Sequence, residues 1–556
     1  MGSAQNRRRT AAARRSPVAH AAASSAQASR APNVAIAGGG LAGLACARTL
    51  ERAGLTVKVY EASDAVGGRC RTDLHPEGFL LDRGFQIMLT AYPECKRYLN
   101  LSRLSLSPFY NGALVWCGPS LRFQRVADPF RHPLDGFKSL FNPVGSPVDK
   151  LLVAVARARA LLVAGREFKQ PETSIRERLK AQGFSDTMIQ RFFKPFMAGI
   201  WLDPELQVSS RLFDFVMRML ALGNNALPAA GIGSIPQHIA SSLSSDTLAL
   251  SSPAHAAAPY ELTLSHEDES LHLQYGTVIA TDQPAASQLL ANANISCSYD
   301  FTDQEDLSFE SKTDGKVARS TTLYFKSDKP PPVEENILLL NGTGDGIVNN
   351  ACFPASVCKT YAPPGKTLVS ATVIALPQEI VEKRSVGASG SANDNSSSFS
   401  FSFNSDSSFK ASPAESSLSS FGLGVMTEGA ARRSGVERDN DYDDSNEEEE
   451  DEEVHERQAR DEMVRLVREE LSEWFGRSEV DQWQFLRMYS IPYSHPPQQP
   501  PTEFERDPQI ARGLYVCGDH RETASFDGAL RSGRRAAEAL LRDHGFEVPA
   551  PERPND

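Results

Sequence analysis

The stretch "VAIAGGGLAGLACARTLERAGLTVKVYEA", Val34 to Ala62, constrains the fold more than any other part of this chain. A short apolar run leads into three glycines, a helix-compatible run follows, and a second strand-like run ends at Glu61. Parallel neighbours need a crossover, usually a helix, so this order predicts one strand–helix–strand unit of a parallel sheet. Gly38 permits the tight turn out of the strand, Gly40 lets backbone approach a pyrophosphate, and Gly43 lets helix and strand pack closely. Leu41 and Ala42 open a helix whose free N–H groups and dipole favour phosphate. Glu61 stands 18 residues after Gly43, with Ala62 beside it, where an acid can bind the ribose hydroxyls of an adenosine.

In "YEASDAVGGRCRT", Gly67, Gly68 and Arg69 form a second turn that can bring backbone and a guanidinium to a pyrophosphate. An NAD site does not require that extension, so FAD is the expected cofactor. No second G-x-G-x-x-G occurs, and no separate NAD(P)H domain is expected. Electrons would then come from the substrate itself and leave to oxygen or a quinone.

From Val34 to Thr72 the chain resembles the FAD-binding front of the flavin-containing amine oxidase superfamily, which includes phytoene desaturases, carotenoid isomerases and protoporphyrinogen oxidases. The resemblance implies an α/β fold: a Rossmann-like FAD-binding domain of the GR2 type with an inserted mixed α+β substrate domain. It also implies that the chain returns at its end to close the flavin site. "YVCGDHRETASFDGAL" then supplies Gly518 and Asp519 for the ribityl chain, and Gly528 and Ala529 as a helix start aimed at the ring. Such a helix start suits the negative charge of a reduced flavin. Asp527 is read as the cap of that helix. In "LLDRGFQIMLTAYP", Arg83, Gly84, Phe85 and Gln86 are implied at the flavin face, and Ala254 in "SSPAHA" at the adenine side.

Length and a 40% hydrophobic content leave room for two interleaved domains. The FAD-binding domain is expected over 33–110, 231–300 and 505–545, and the substrate domain over 111–230, 301–383 and 457–504. Residues 384–456 become Ser-rich and then acidic, which reads as a disordered insertion, and 546–556 form a tail. Much of the net charge of -12 sits in that insertion, so a nucleic-acid partner is not expected. Eight cysteines without a C-x-x-C pair signal neither a metal site nor a disulfide framework. Residues 1–32 hold six arginines and no acid, the composition of an import peptide, for a chloroplast or alternatively a mitochondrion. No apolar run is long enough to span a bilayer. "KLLVAVARARALLVAG", Lys150 to Gly165, reads as a core helix with Arg157 and Arg159 on its wet face, or as a helix making peripheral membrane contact.

Amine oxidases of the superfamily carry a lysine near the flavin on a strand read as K-x-x-x-x-F; here that strand is "STTLYF" and the position is Ser320. The departure counts against an amine oxidase. The Phe- and Met-rich run around "RFFKPFMAGIWLDPELQVSSRLFDFVMRML" suits an apolar substrate tunnel as well as an ordinary core. The leading expectation is desaturation or oxidation of a small apolar isoprenoid or tetrapyrrole-like substrate, with hydride passing to flavin N5. An oxygen-using amine oxidase, a redox-neutral carotenoid isomerase-like flavoprotein and a flavin- or pigment-binding protein without turnover are the alternatives. Tyr489, His495 and His520 are the polar groups to examine for a catalytic role.

Overall fold

The computed structural model describes residues 32–265, 270–295, 317–390 and 444–551. The first strand, Val34–Ala37, is buried along its whole length, as a central parallel strand covered on both faces must be. It sits inside a six-stranded sheet in the order Leu248–Ala249, Val57–Tyr60, Val34–Ala37, Gly276–Ile279, Leu514–Val516, Gln509–Ala511. The first five strands run parallel and the last antiparallel, so the loops after residues 37, 60, 279 and 516 all leave the same edge. Five of these strands therefore aim their connections at one place.

Two helices cover one face of that sheet. The first, Leu41–Arg52, follows the glycine turn, and the last, Phe526–Asp543, lies against it. Their backbones approach closely: a Cβ on Gly533 would stand 2.0 Å from the Ala42 carbonyl oxygen, and a Cβ on Gly43 would stand 2.0 Å from the carbonyl oxygen of Gly38 in the turn before its own helix. Asp527 does not cap its own helix. Ser525 does so, accepting from the Gly528 amide at 3.0 Å. Asp527 instead accepts from the Glu94 amide at 2.6 Å and so caps the short helix Pro93–Tyr98. Arg534 holds the same helix with two bonds to the Glu94 carboxylate, at 2.9 and 3.0 Å.

The second sheet has seven strands, in the order Gln484–His495, Ala318–Ser327, Thr367–Val373, Val348–Cys352, Leu338–Asn341, Gly112–Trp116, Phe123–Ala127. Side chains alternate across it. Leu323, Phe325, Leu339, Ala371 and Val373 pack under the helix Asp444–Phe475, against its Met463, Val467 and Leu471. Ser320, Thr322, Leu338, Leu340 and Thr372 face the other way, into a cavity.

Two expectations change, one about a boundary and one about a helix face. The segment read as an insertion from 384 to 456 is helical at both described ends, within Pro377–Gly390 and Asp444–Phe475, and Arg384 bonds Glu462 at 3.0 Å. Residues 391–443 and 1–31 lie outside the described residues. The helix Pro147–Leu162 is also turned over: Arg157 and Arg159 face inward, Arg157 pairing with Asp128, while Val148, Leu151, Val155 and Leu162 are exposed.

Gly533→Ala tests the helix contact by its sign. Helix propensity alone favours alanine over glycine by about 1 kcal/mol, whereas a Cβ forced against the Ala42 carbonyl must push the helices apart. A net loss of about 1–3 kcal/mol in denaturant unfolding is expected; a gain would mean that the helices do not meet there.

Candidate functional site

The strand ends converge on a cavity of about 690 Å³. Its floor is made by the two glycine turns. Gly38 has a φ of +109°, and a Cβ there would meet the Ala280 carbonyl oxygen at 2.7 Å, so only glycine fits beside the neighbouring strand. Glu61 locks this turn, since its carboxylate accepts from the Gly39 amide at 2.7 Å and from the Ser63 amide and hydroxyl at 2.9 and 2.6 Å. The second turn stacks on the first through the Gly67 amide, which donates to the Gly39 carbonyl at 2.9 Å.

Arg69 leaves the second turn and crosses to the far end of the sequence. Its guanidinium donates to Asp519 at 2.7 Å and to the Ser494 carbonyl at 2.7 Å, and lies 5.9 Å from the Tyr493 ring. Burial by itself would raise the Asp519 pKa, but the charge and hydrogen bond of Arg69 outweigh it and hold the carboxyl below its ordinary range. Gly518, before it, donates its amide to Ser532 at 3.0 Å.

Most residues singled out in the sequence line this cavity: Gly38, Gly40, Leu41, Ala42, Glu61, Ala62, Gly67, Gly68, Arg69, Gly84, Phe85, Gln86, Ala254, Gly518, Asp519 and Ala529. Gly43 and Gly528 lie behind it and act through close packing; a Cβ on Gly528 would stand 2.1 Å from the Thr523 carbonyl oxygen. Arg83 is not at the flavin face. It pairs with Asp73 at 2.9 Å, and Tyr489 donates to the same carboxylate at 2.8 Å, so both belong to a bonded cluster beside the cavity rather than in it. His520 is also outside the lining; its ring packs on Gly518, and burial pushes its pKa down to about 3.

Of the three polar candidates only His495 reaches the cavity. Burial pushes its pKa down to about 4, which leaves the ring neutral near pH 7, and its Nδ1 has no hydrogen-bond partner among the described residues. Three more buried polar atoms on the lining share that condition: Trp201 Nε1, Asn225 Oδ1 and Thr372 Oγ1. Reading the sequence singled out His495 but missed these three. It also missed Asp282, which follows the strand Gly276–Ile279 as Glu61 follows its own strand, and that shared position was the available signal. Ile200 and Trp201 reach the cavity from the end of the helix Lys194–Trp201, which follows a π turn at Ile189–Phe193 and has Pro195 in its first turn.

The cradle fits FAD. No heavy atom lies within 4 Å of where a Cβ of Gly40 would stand, although Gly40 lines the cavity; a Cβ on Gly68 would sit 3.7 Å from the Gly40 Cα. Two bare backbones therefore face one open space beside a helix N-terminus, as a pyrophosphate requires. Glu61 and Ala254 lie on the lining for the nucleoside, and Arg69 and Asp519 for the polar chain. A parallel dinucleotide sheet with this cradle, closed over by an inserted second sheet, defines a two-domain FAD-dependent oxidoreductase.

The chain belongs to the flavin containing amine oxidoreductase family, whose sequence profile matches residues 41–385 and 445–541. A 111-residue stretch is 33% identical to 15-cis-phytoene desaturase of Synechococcus elongatus, covering 20% of this chain and 22% of that protein. A 58-residue stretch is 45% identical to hydroxysqualene dehydroxylase of Rhodopseudomonas palustris (10% of this chain, 14% of that protein). Another of 55 residues is 46% identical to polyamine oxidase 2 of Arabidopsis thaliana (10% and 11%). The chain thus matches less than a quarter of the length of each of these curated relatives. An oxidoreductase structure from Methanosarcina mazei shares the fold, with a TM-score of 0.57, 15% identity, and coverage of 92% of this chain and 99% of that one.

Two variants test the cradle. A Cβ at Gly40 points into open space, so Gly40→Glu should leave the unfolding transition of the apoprotein in place while abolishing FAD retention; normal flavin content would remove the turn from the site. Asp519→Asn should lose stability at neutral pH by about 2 kcal/mol, below the 3–5 typical of a broken buried pair, because Arg69 is one-third exposed. A depressed carboxyl stabilises the fold fully above its unfolded pKa of about 3.9, and that share is lost as pH falls toward the folded value. The deficit of the variant should therefore shrink below pH 4, and a deficit that is unchanged at low pH would exclude the Asp519 charge as its source.

Proposed function

We propose that this protein oxidises a long apolar substrate of the isoprenoid class, removing hydrogen from carbon. The supporting observation is the division of charge along the cavity. All four Asp, Glu, Lys or Arg side chains among its lining residues, Glu61, Arg69, Asp282 and Asp519, stand on the loops of the parallel sheet. Away from those loops the chamber is faced by Phe196, Ile200, Trp201, Leu220, Leu338 and Leu340, with only neutral polar groups among them, on Asn225, Ser320, Thr322, Asn350, Thr372 and His495. A cationic amine entering there would shed its hydration without a carboxylate to meet it. An apolar chain instead gains about 25 cal/mol for each Å² removed from water.

Bound in the cradle, FAD supplies the two-electron acceptor for hydrogen removal. The chain's own part is to orient the substrate and to keep water away. Ser320 stands where the amine-oxidase pattern has lysine, its hydroxyl is bonded to that of Ser494 at 2.8 Å, and no lysine lines the cavity among the described residues. Neutral His495 offers a single unpartnered nitrogen, which can hold one polar group of a substrate or accept one proton. The stretches shared with a phytoene desaturase and a hydroxysqualene dehydroxylase support the substrate class, although they cover only part of each. Electrons would pass on to a quinone or to oxygen, and the acid-free arginine-rich leader supports a plastid location, with the mitochondrion as alternative.

Anaerobic mixing of the holoenzyme with phytoene in detergent micelles, and separately with spermidine, tests the reading through the visible absorbance of the flavin. Bleaching by phytoene and not by spermidine is expected. Bleaching by spermidine alone would make the protein an amine oxidase, and bleaching by neither would leave a flavin-binding protein without this turnover.

A further inference from the structure

The surface formed by residues 129–164 carries an unusual distribution of side chains. On the helix Pro147–Leu162, Val148, Leu151, Val155 and Leu162 fall on one face at helical spacing, and each is between 55% and 86% exposed. On the preceding segment, Phe130, Leu134, Phe137 and Phe141 are 64–80% exposed, and the Phe137 and Phe141 rings meet at 5.7 Å. Arg157 ties the segment to the helix: its guanidinium lies 5.0 Å from the Phe130 ring while it pairs inward with Asp128. Singly exposed apolar residues are ordinary on any protein, but eight of them between residues 130 and 162 are not.

Charge on the same stretch is one-sided. None of the four acids between residues 112 and 170 is exposed. Asp128 pairs with Arg157 and Glu167 with Arg218, while Asp149 accepts from Ser146 and Ser185, and Asp135 from Tyr110. Lys138, Arg166 and Lys169 are exposed. Within this stretch the exposed side chains are therefore apolar or cationic and every acid is bonded, on a chain whose net charge is -12.

We propose that this face lies in the headgroup region of an anionic lipid bilayer, with the apolar residues below the phosphates and the three cations among them. Such a helix lies in the interface plane, held jointly by apolar burial and by attraction to anionic lipid. No described helix is long and apolar enough to cross a membrane, which agrees with a surface attachment. The face also adjoins the cavity. Arg131 and Arg157 both donate to the carbonyl of Ala221, at 3.2 and 3.3 Å, in the helix Ser210–Leu222. One residue before that carbonyl, Leu220 lines the cavity, and one residue after it, Leu222 is 54% exposed. The surface inference rests on these exposures and charges and not on the substrate class proposed above.

Flotation of the full FAD-loaded chain on a sucrose gradient tests it, using vesicles of phosphatidylglycerol with phosphatidylcholine and vesicles of phosphatidylcholine alone. Expected is flotation with the anionic vesicles, weakening as salt is raised. Two triple variants, Leu134→Ser/Phe137→Ser/Phe141→Ser and Val148→Ser/Leu151→Ser/Val155→Ser, should each lower the partition coefficient by at least about tenfold while keeping flavin content and the thermal transition. Lys138→Glu/Arg166→Glu/Lys169→Glu leaves the apolar face intact and should remove the preference for anionic vesicles. A wild-type protein that floats with neither vesicle, or serine variants that float as well as it does, would overturn the inference. So would a wild-type dimer that the serine changes convert to a monomer, since the face would then belong to a second copy. Flotation without turnover on phytoene would leave the membrane face standing and reject the substrate class alone.

Discussion

Everything in the site depends on how closely the two ends of the chain approach each other. The first helix and the last helix touch backbone to backbone at Ala42 and Gly533, and 450 residues separate Arg69 from the carboxylate it holds at 2.7 Å. Neither end is a binding site alone. The front supplies bare backbone and a guanidinium; the back supplies the carboxylate that keeps that guanidinium oriented once it has left water. Bringing such distant residues together costs chain entropy before the contact rewards it, and other contacts share in holding the two ends. Asp527, Arg534 and Glu94 make them, tying the last helix to a third segment at residues 93–98.

The same economy explains where the buried carboxylates went. Asp82 accepts from Thr72, from the Ile232 amide and from Tyr361, and although burial lifts its pKa to about 6 it serves as a three-way fastener between segments. Asp527 fastens in a similar way, with burial and the neighbouring Glu94 lifting it to about 7. Asp527 reads in the sequence as the cap of its own helix, right in type but local in reach. The partners of both carboxylates stand far away in the chain, Tyr361 by 279 residues from Asp82 and Glu94 by 433 from Asp527, and no periodicity encodes a partner at that range.

What could be read in advance was whatever is local and carries a steric demand. The glycines declare themselves because a positive φ or a missing Cβ is required within a few residues, as at Gly38 and Gly67. Glu61 declares itself by its place at a strand end. Arg83 and Tyr489 misled because motif position cannot say which way a side chain turns. Asp73 draws both away from the cavity. The polar atoms that face it, on Trp201, Asn225 and Thr372, come from three separate elements, and only the folded sheet and helix bring them together.

The helix Pro147–Leu162 shows the sharpest limit of the pattern. Its apolar and charged residues alternate with helical period, and the period is the same whichever face is wet. Reading arginine as the solvent side is the ordinary choice, yet here Asp128 and the carbonyl of Ala221 give Arg157 better partners inside than outside. Once the arginines turn in, the leucines and valines must turn out, and the helix becomes apolar toward its surroundings. The inverted helix also borders the segment carrying Leu220, which lines the cavity. An arrangement that would be a defect on a surface facing only water therefore makes physical sense where the surroundings are themselves apolar.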